Sequence, residues 1–310
     1  MTLTQLKYIL ALAQTRHFAE AAKNCHVTQP TLSMQIQKLE DWLQVKIFDR
    51  STSPVKITEF GKKIIEQAGH IIKEASLLEE LVQQQRGVIR GEFRLGVIPT
   101  IAPYLVPLFL NEFSEAFPDV NLKIEELQTH NILDLLKKDH LDAGIMATPI
   151  QEKNIINHIL YYEPFYAFIS PLHPLAAQKQ VFEDDLNSKD AWLLEEGHCF
   201  RGQMLKICKK DIHTEFRNVS FASGSLETVK NMVKSTPSFT LLPYLAVESL
   251  GDYDRSLVKR FSGVNPTREI SLVTSNKLSK ISILDSLKDI ILSSIPEKMI
   301  NEKGVVIPLD

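Results

Sequence analysis

Two of the three cysteines of this 310-residue chain lie in one stretch, Glu196-Gly197-His198-Cys199-Phe200-Arg201-Gly202-Gln203-Met204-Leu205-Lys206-Ile207-Cys208. Cys199 stands between an imidazole and a guanidinium, and a nearby positive charge favours the thiolate, the reactive form of sulfur. Cys208 lies further along a run whose Met204, Leu205, Ile207 and Cys208 fit the apolar side of a short helix. In such a helix the two cysteine positions are roughly 13 Å apart, whereas a disulfide needs Cα atoms within about 7 Å. A bridge would require the segment to refold, and a local covalent event that rearranges its surroundings is how a redox switch is built. The competing reading is that both residues are small buried hydrophobes, a common use of free cysteine.

The rest of the chain bounds the compartment in which such chemistry would occur. An odd cysteine count in a long chain does not resemble a secreted disulfide framework. The N-terminal MTLTQLKYILALAQTRHFAEAAKN shows no basic leader ahead of an apolar run, and no apolar run reaches membrane-span length. These features predict a reducing cytoplasmic location with no membrane partner, where a disulfide is an event rather than a fixture. The net charge of -3 is uneven: residues 1–90 carry twelve Lys/Arg against nine Asp/Glu, and the remainder carries the acidic excess. That small positive excess leaves any case for a nucleic-acid partner to local motifs.

Those motifs are present. Leu3, Leu6, Leu10 and Ala13 recur at helical spacing, Phe18 to Lys23 reads as a second short helix, and Asn24-Cys25-His26-Val27 as a turn. Thr28 fits an N-cap with Pro30 in the first turn of a third helix. Its buried stripe would be Leu32, Ile36, Leu39 and Leu43, and its polar face Gln29, Thr31, Ser33, Gln35, Gln37 and Lys38. Two short helices and a tight turn fit a helix-turn-helix, in which Gln reads adenine edges, Ser and Thr bond bases or phosphates, and Lys neutralises the backbone. Thr28, Gln29, Pro30, Thr31, Ser33, Gln37 and Lys38 are the candidate DNA contacts. An exposed polar face on an ordinary helical bundle is the alternative. Residues 45–50 and 54–58 read as two strands of a basic wing, which adds Arg50. Thr58 caps a following helix in which Ile64, Ala68, Ile71, Ala75, Leu78 and Val82 recur through about residue 85. So long an apolar stripe implies a partner helix, hence a dimer with two reading helices on two half-sites.

Arg86-Gly87-Val88-Ile89-Arg90-Gly91 reads as a boundary. Beyond it, strands at 93–98, 121–127 and 141–146 alternate with helices at 101–117, interrupted early by Pro103 and Pro107, and at 131–138, which argues an open α/β sheet. Ligands in such sheets sit beyond the carboxyl ends of strands. Thr100 and Thr129 stand at two such ends and could face one crevice, although helix capping is the commoner use of threonine there. Further strands are expected at 160–170, 216–219, 239–243 and 269–274, with helices at 226–232 and 279–294. The chain would form two sub-domains and cross between them near 162 and 267, an arrangement suited to hinged effector sensing. No nucleotide-binding loop, hydrolase elbow or metal-ligand cluster is visible, and His70, His130, His140, His158 and His213 have no site-like spacing.

The pattern from LTQLKYILALAQTRHFAEAAKNCHVTQPTLSMQIQKLEDWLQVKIFDRS through the long helix closely resembles the LysR-type transcriptional regulators. Within them, LLEEGHCFRGQMLKIC, GVIPTIAPYLVP and ELQTHN resemble the hydrogen-peroxide-sensing OxyR group. The resemblance implies a multidomain α/β chain: a winged helix-turn-helix (1–58), a dimerising linker helix and hinge (59–90), and a two-lobed periplasmic-binding-protein-like regulatory domain (91–310). Lobe I would comprise 91–162 plus 268–310 and lobe II 163–267. It implies that Cys199 reacts with peroxide, that Cys208 resolves the product as a disulfide, and that Thr100, Thr129, His198 and Arg201 shape the pocket. It implies partners: double-stranded DNA, a second and in many cases a third and fourth copy of the chain, RNA polymerase and a thiol-reducing system. It implies no cofactor, with hydrogen peroxide as the sensed molecule, and stoichiometric sensing rather than enzymatic turnover. Gly202 departs from the group's pattern, which commonly has an acidic residue there. A LysR-type sensor of a small metabolite, a thiol peroxidase and a solute-binding module are the rival readings.

Overall fold

The computed structural model describes residues 1–85, 89–208, 221, 223–276, 278, 280–301 and 304–309, except for some side chains from 73 to 85 and that of 301. The expected boundary residues Arg86-Gly87-Val88, the expected strand at 216–219, His213 and the side chain of Val82 lie outside that set. The chain divides into two compact units, Met1–Val88 and Ile89–Asp310.

The first unit contains α1 (Leu3–Thr15), α2 (Phe18–Asn24), α3 (Gln29–Leu43), β1 (Phe48–Asp49), β2 (Lys56–Ile57) and α4 (Glu59–Gln85). The buried stripe of α1 is Leu6, Ile9 and Leu12, whereas Leu3 is exposed and Leu10 and Ala13 are half-buried. The helix expected from their spacing is present, with Leu10 and Ala13 packed at the edge of the core. In α3 the Thr28 side chain accepts from the Thr31 N–H, and Leu32, Ile36 and Leu39 are buried. The wing strands are two residues each, much shorter than expected, and pair Phe48 with Ile57 and Asp49 with Lys56. Thr58 caps α4 by accepting from the Gly61 N–H at 2.9 Å. Gly61 is required there: a Cβ would overlap the carbonyl oxygen of Ile47. Ala68 is buried, but Leu78 is 68% exposed.

The second unit runs β3 (Gly91–Val97), α5 (Ala102–Ala116), β4 (Val120–Glu126), α6 (Thr129–Lys137), β5 (Ala143–Thr148) and β6 (Ile155–Ile169). It continues through β7 (Gln180–Val181), α7 (Cys199–Ile207), α8 (Leu226–Ser235), β8 (Phe239–Pro243), α9 (Tyr244–Glu248), α10 (Asp252–Ser256) and β9 (Val258–Phe261). It closes with β10 (Pro266–Ser275), α11 (Ile281–Ser294), α12 (Glu297–Asn301) and β11 (Val305–Val306). The α5 helix continues through Pro107 rather than breaking at it.

Strands β3, β4 and β5 are parallel, as short strand–helix alternation demands. The order β4-β3-β5-β10-β6-β9-β7 then turns antiparallel at β10. The long strand β6 joins the two halves. Its residues 155–164 pair with β10, and residues 165–169 pair with β8. Strand β10 is buried almost throughout, so the charged side chains it carries are buried too. Among the described residues no helix is long and apolar enough to cross a membrane.

Candidate functional site

The carboxyl ends of β3 and β4 and the first turn of α7 converge on one narrow crevice. Its walls are Ile98, Pro99, Thr100, Gln128, Thr129, Gly197, His198, Cys199 and Phe200. Thr100, Thr129, His198 and Cys199, chosen from the sequence as candidates, are thus neighbours. Thr129 is the first helical residue of α6, and Gln128 occupies its N-cap. All three cysteines are free thiols.

Burial is the largest influence on the Cys199 thiol and pushes it up. Opposing it are a hydrogen bond with the Thr129 hydroxyl, the field of the Arg268 guanidinium, and the backbone N–H groups of Phe200 and Cys199 itself. The net shift is upward, and neither His198 nor Arg201 is among the groups that oppose it. Burial lowers the pKa of His198, with Glu195 opposing, so its ring is neutral at neutral pH. Arg201 turns away to donate to the carbonyl oxygen of Leu194 at 2.8 Å. The nearest informative cation in sequence is therefore not the one that acts in space.

Arg268, contributed by β10, is fully buried and fixed on every side. It donates through Nε (2.9 Å) and Nη2 (2.7 Å) to Glu163 Oε2, through Nη1 to the Thr100 hydroxyl (3.0 Å), and through Nη2 to the Thr100 carbonyl (3.1 Å). Its guanidinium lies 5.5 Å from the centre of the Phe200 ring. The other oxygen of Glu163 accepts the Leu245 N–H at 2.8 Å. A buried charge is costly unless paired and hydrogen-bonded, and here both members of the pair are. Arg268, Glu163 and Gln128 were missed from sequence. A lone guanidinium in an apolar strand signals a buried partner, but nothing local says that the partner borders a thiol.

Cys208 caps the far end of α7, its N–H bonded to Met204 O, and its thiol is pushed up to about 12 by burial and then by Glu183. Phe200, Met204 and Ile207 are buried on the same helix. Gln203 donates to Ile307 O at 2.9 Å and Lys206 to Pro308 O at 3.1 Å, so α7 is tied to the C-terminal segment.

In the first unit, Gln29, Pro30 and Lys38 are exposed on α3, while Thr31, Ser33 and Gln37 are half-buried. The Gln37 amide donates to Asp41 at 2.7 Å. Arg50, the candidate DNA contact of the wing, is held by the buried carboxylate of Glu40 at 2.9 Å and donates to Ser33 at 3.4 Å. Glu40 also accepts the N–H groups of Ile47 (2.7 Å) and Phe48 (3.0 Å), which locks the wing to α3. Cys25 is half-buried in the turn, and burial raises its thiol. Among the described residues no cluster of side chains fits a metal ion.

A chain that carries a winged helix-turn-helix and a mixed-sheet regulatory domain is a DNA-binding transcriptional regulator. Residues 3–62 match the model for bacterial regulatory helix-turn-helix proteins of the lysR family, and residues 86–292 match the LysR substrate binding domain. The chain belongs to the LysR family of transcriptional regulators, and within it is OxyR-like. It is 39% identical over 250 residues to a hydrogen peroxide-inducible genes activator of Dickeya chrysanthemi, covering 80% of each chain. It is 37% identical over 276 residues to the DNA-binding transcriptional dual regulator OxyR of Escherichia coli, covering 88% of this chain and 89% of that one. A solved cysteine-to-aspartate variant of full-length OxyR from Pseudomonas aeruginosa superposes with a TM-score of 0.76 at 38% identity. That match covers 94% of this chain and 98% of the other.

Proposed function

We propose that this regulator responds to hydrogen peroxide through Cys199, with Cys208 as the resolving thiol. The observation that carries this reading is the setting of Cys199, whose sulfur bonds the Thr129 hydroxyl at a helix N-terminus within the field of the buried Arg268. A peroxide beside Thr100 and Thr129 meets two hydroxyls. That of Thr100 already accepts from Arg268, which leaves its own proton to donate. The Cys199 sulfur attacks one peroxide oxygen, the O–O bond breaks, and the departing hydroxide takes the thiol proton, relayed by Thr129, to leave as water. Arg268 stabilises negative charge on sulfur and on the leaving oxygen. Neutral His198 shapes the wall. The sulfenic acid at Cys199 then condenses with the Cys208 thiol and releases a second water.

Because α7 separates the two sulfurs, the second step requires the helix to unwind and Cys208 to leave its buried site. In this reading residues 59–90 carry a dimer contact, a second pairing makes a tetramer, and Thr28, Gln29, Pro30, Thr31, Ser33, Gln37 and Lys38 meet DNA. Refolding of the 199–208 segment changes the spacing of half-site contacts and the approach of RNA polymerase, and cellular dithiols restore the thiols.

The test is free-thiol mass mapping of reduced protein before and after stoichiometric peroxide, with DNA footprinting of the same samples. A Cys199–Cys208 bridge with an altered footprint is expected. An unreacted Cys199, or a bridge with an unchanged footprint, overturns the reading. That result would favour a metabolite in the adjoining cleft of ≈ 340 Å³, whose walls include Tyr104, Glu126, Asn131, Glu195, Ser225 and Glu227.

A further inference from the structure

The crevice holding Cys199 and the adjoining cleft share a wall. Pro99, Gln128 and His198 line both. The cleft has a volume of ≈ 340 Å³, whereas the crevice has no room for a water molecule. Cys199 is half-buried, and a molecule that reaches its thiol from the cleft must displace a side chain, of which the movable one is Gln128. His198 is buried and backed by Glu195 at 3.7 Å. Pro99 has no side-chain freedom to swing. Gln128 is half-buried, and its side chain caps nothing at the start of α6. It reaches across to the α7 segment, where its Nε2 lies 3.3 Å from His198 Nε2. An amide nitrogen only donates, so the neutral imidazole accepts there. Gln128 Oε1 lies 2.9 Å from the point a Cβ on Gly197 would occupy, and Gly197 has φ +92, so the bare glycine backbone is what leaves room for the amide. One neutral hydrogen bond holds this arm, worth about 0.5–1.5 kcal/mol. Rotamer flips of so lightly held a side chain are fast.

We propose that Gln128 is the specificity-determining gate of the peroxide site. It yields to a molecule of the size of hydrogen peroxide and excludes hydroperoxides that carry an alkyl group. The inference rests on the peroxide reading above. With an alkyl hydroperoxide the Cys199 sulfur would take the terminal oxygen, the O–O bond would break, and the alkoxide would leave with the thiol proton as an alcohol. The chemistry is the same, so any discrimination is steric. Hydrophobic pockets distinguish a single methylene by roughly 10–200-fold, and a tertiary butyl group is larger than that.

The experiment compares rates of Cys199 thiol loss in the full chain with hydrogen peroxide and with tert-butyl hydroperoxide, by quenched flow and mass spectrometry. Gln128→Ala removes the amide arm and is expected to raise the ratio of the tert-butyl rate to the hydrogen peroxide rate at least about tenfold. Gln128→Ser removes nearly the same bulk while keeping a polar group, and a similar rise is expected should the alanine variant fold poorly. If wild-type Cys199 oxidises with hydrogen peroxide but neither variant changes the ratio, the gate is overturned and the peroxide reading stands. If wild-type Cys199 stays reduced, both fall.

Discussion

At Cys199, burial raises the thiol while the Thr129 hydroxyl, the Arg268 guanidinium and two backbone N–H groups lower it. Removing the cation while keeping the bulk should move the thiol further up. Arg268→Met is therefore expected to raise the Cys199 pKa in a titration of thiolate absorbance. It should also destabilise the unit by about 3–5 kcal/mol in urea unfolding, because Glu163 is left charged and unpaired in the interior. Arg201→Met, whose partner is the Leu194 carbonyl, is expected to leave that titration unmoved. His198 has a folded pKa below the ordinary 6.5 because the buried ring resists charging. As the pH falls below 6.5 the unfolded chain takes up this proton before the folded one does. The stability contributed by the neutral ring is thus present above 6.5 and lost on acidification through the lower folded value. His198→Gln should lose less stability than wild type between pH 7 and 5, and parallel denaturation curves would sink this assignment.

The elements succeed where local chemistry and packing agree. Thr28 and Thr58 cap the helices that follow them, and Leu32, Ile36 and Leu39 of the α3 stripe are buried while Leu43 is half-buried. Where they disagree, packing decides. Leu10 and Ala13 fit the α1 pattern as well as Ile9 and Leu12 do, but they pack only at the edge of the core that Ile9 and Leu12 fill, so periodicity located the helix and not the depth of each position. Nothing in the spacing along α3 marks the acidic Glu40 as more than another polar residue. It is instead the hub that receives two backbone N–H groups and Arg50. Glu40→Ala should cost roughly 1–3 kcal/mol for each buried donor left unpaired and weaken DNA binding by loosening the wing, read by melting and by titration with duplex DNA. Gly61→Ala forces α4 away from Ile47 and should cost about 1–3 kcal/mol by the same melt.

For the whole molecule, the proposed switch has an energetic obstacle that explains why it holds in the resting state. Unwinding α7 withdraws Phe200, Met204 and Ile207 from the core and breaks the Gln203 and Lys206 bonds to the C-terminal segment. Each buried side chain is worth about 1.5–3 kcal/mol, so only covalent capture of Cys208 would hold the opened form. Assembly is the other property of this scale. Leu78 is exposed on a helix too long for its own unit to cover. In the proposed dimer Leu78→Glu should shift sedimentation equilibrium toward monomer and reduce DNA affinity. An unchanged dimer would place the contact elsewhere.

Order along the chain was enough to locate the helix-turn-helix, the long helix and the strand–helix alternation, whereas the grouping of Thr100, Thr129 and His198 with Cys199 was implied by the family resemblance. Capping, periodicity and strand ends are properties of neighbouring residues, and they survive folding unchanged. Which charge acts on the sulfur was decided only in three dimensions. Arg201 is two residues from Cys199 in sequence and bonds elsewhere, while Arg268 arrives on a strand that pairs with β6 and finds Glu163 there. The same holds for Gln128 over Gly197 and for Glu40 beneath the wing. Electrostatic and hydrogen-bond partners are chosen by distance in space and by the cost of burying a charge alone, and neither quantity is written in residue spacing.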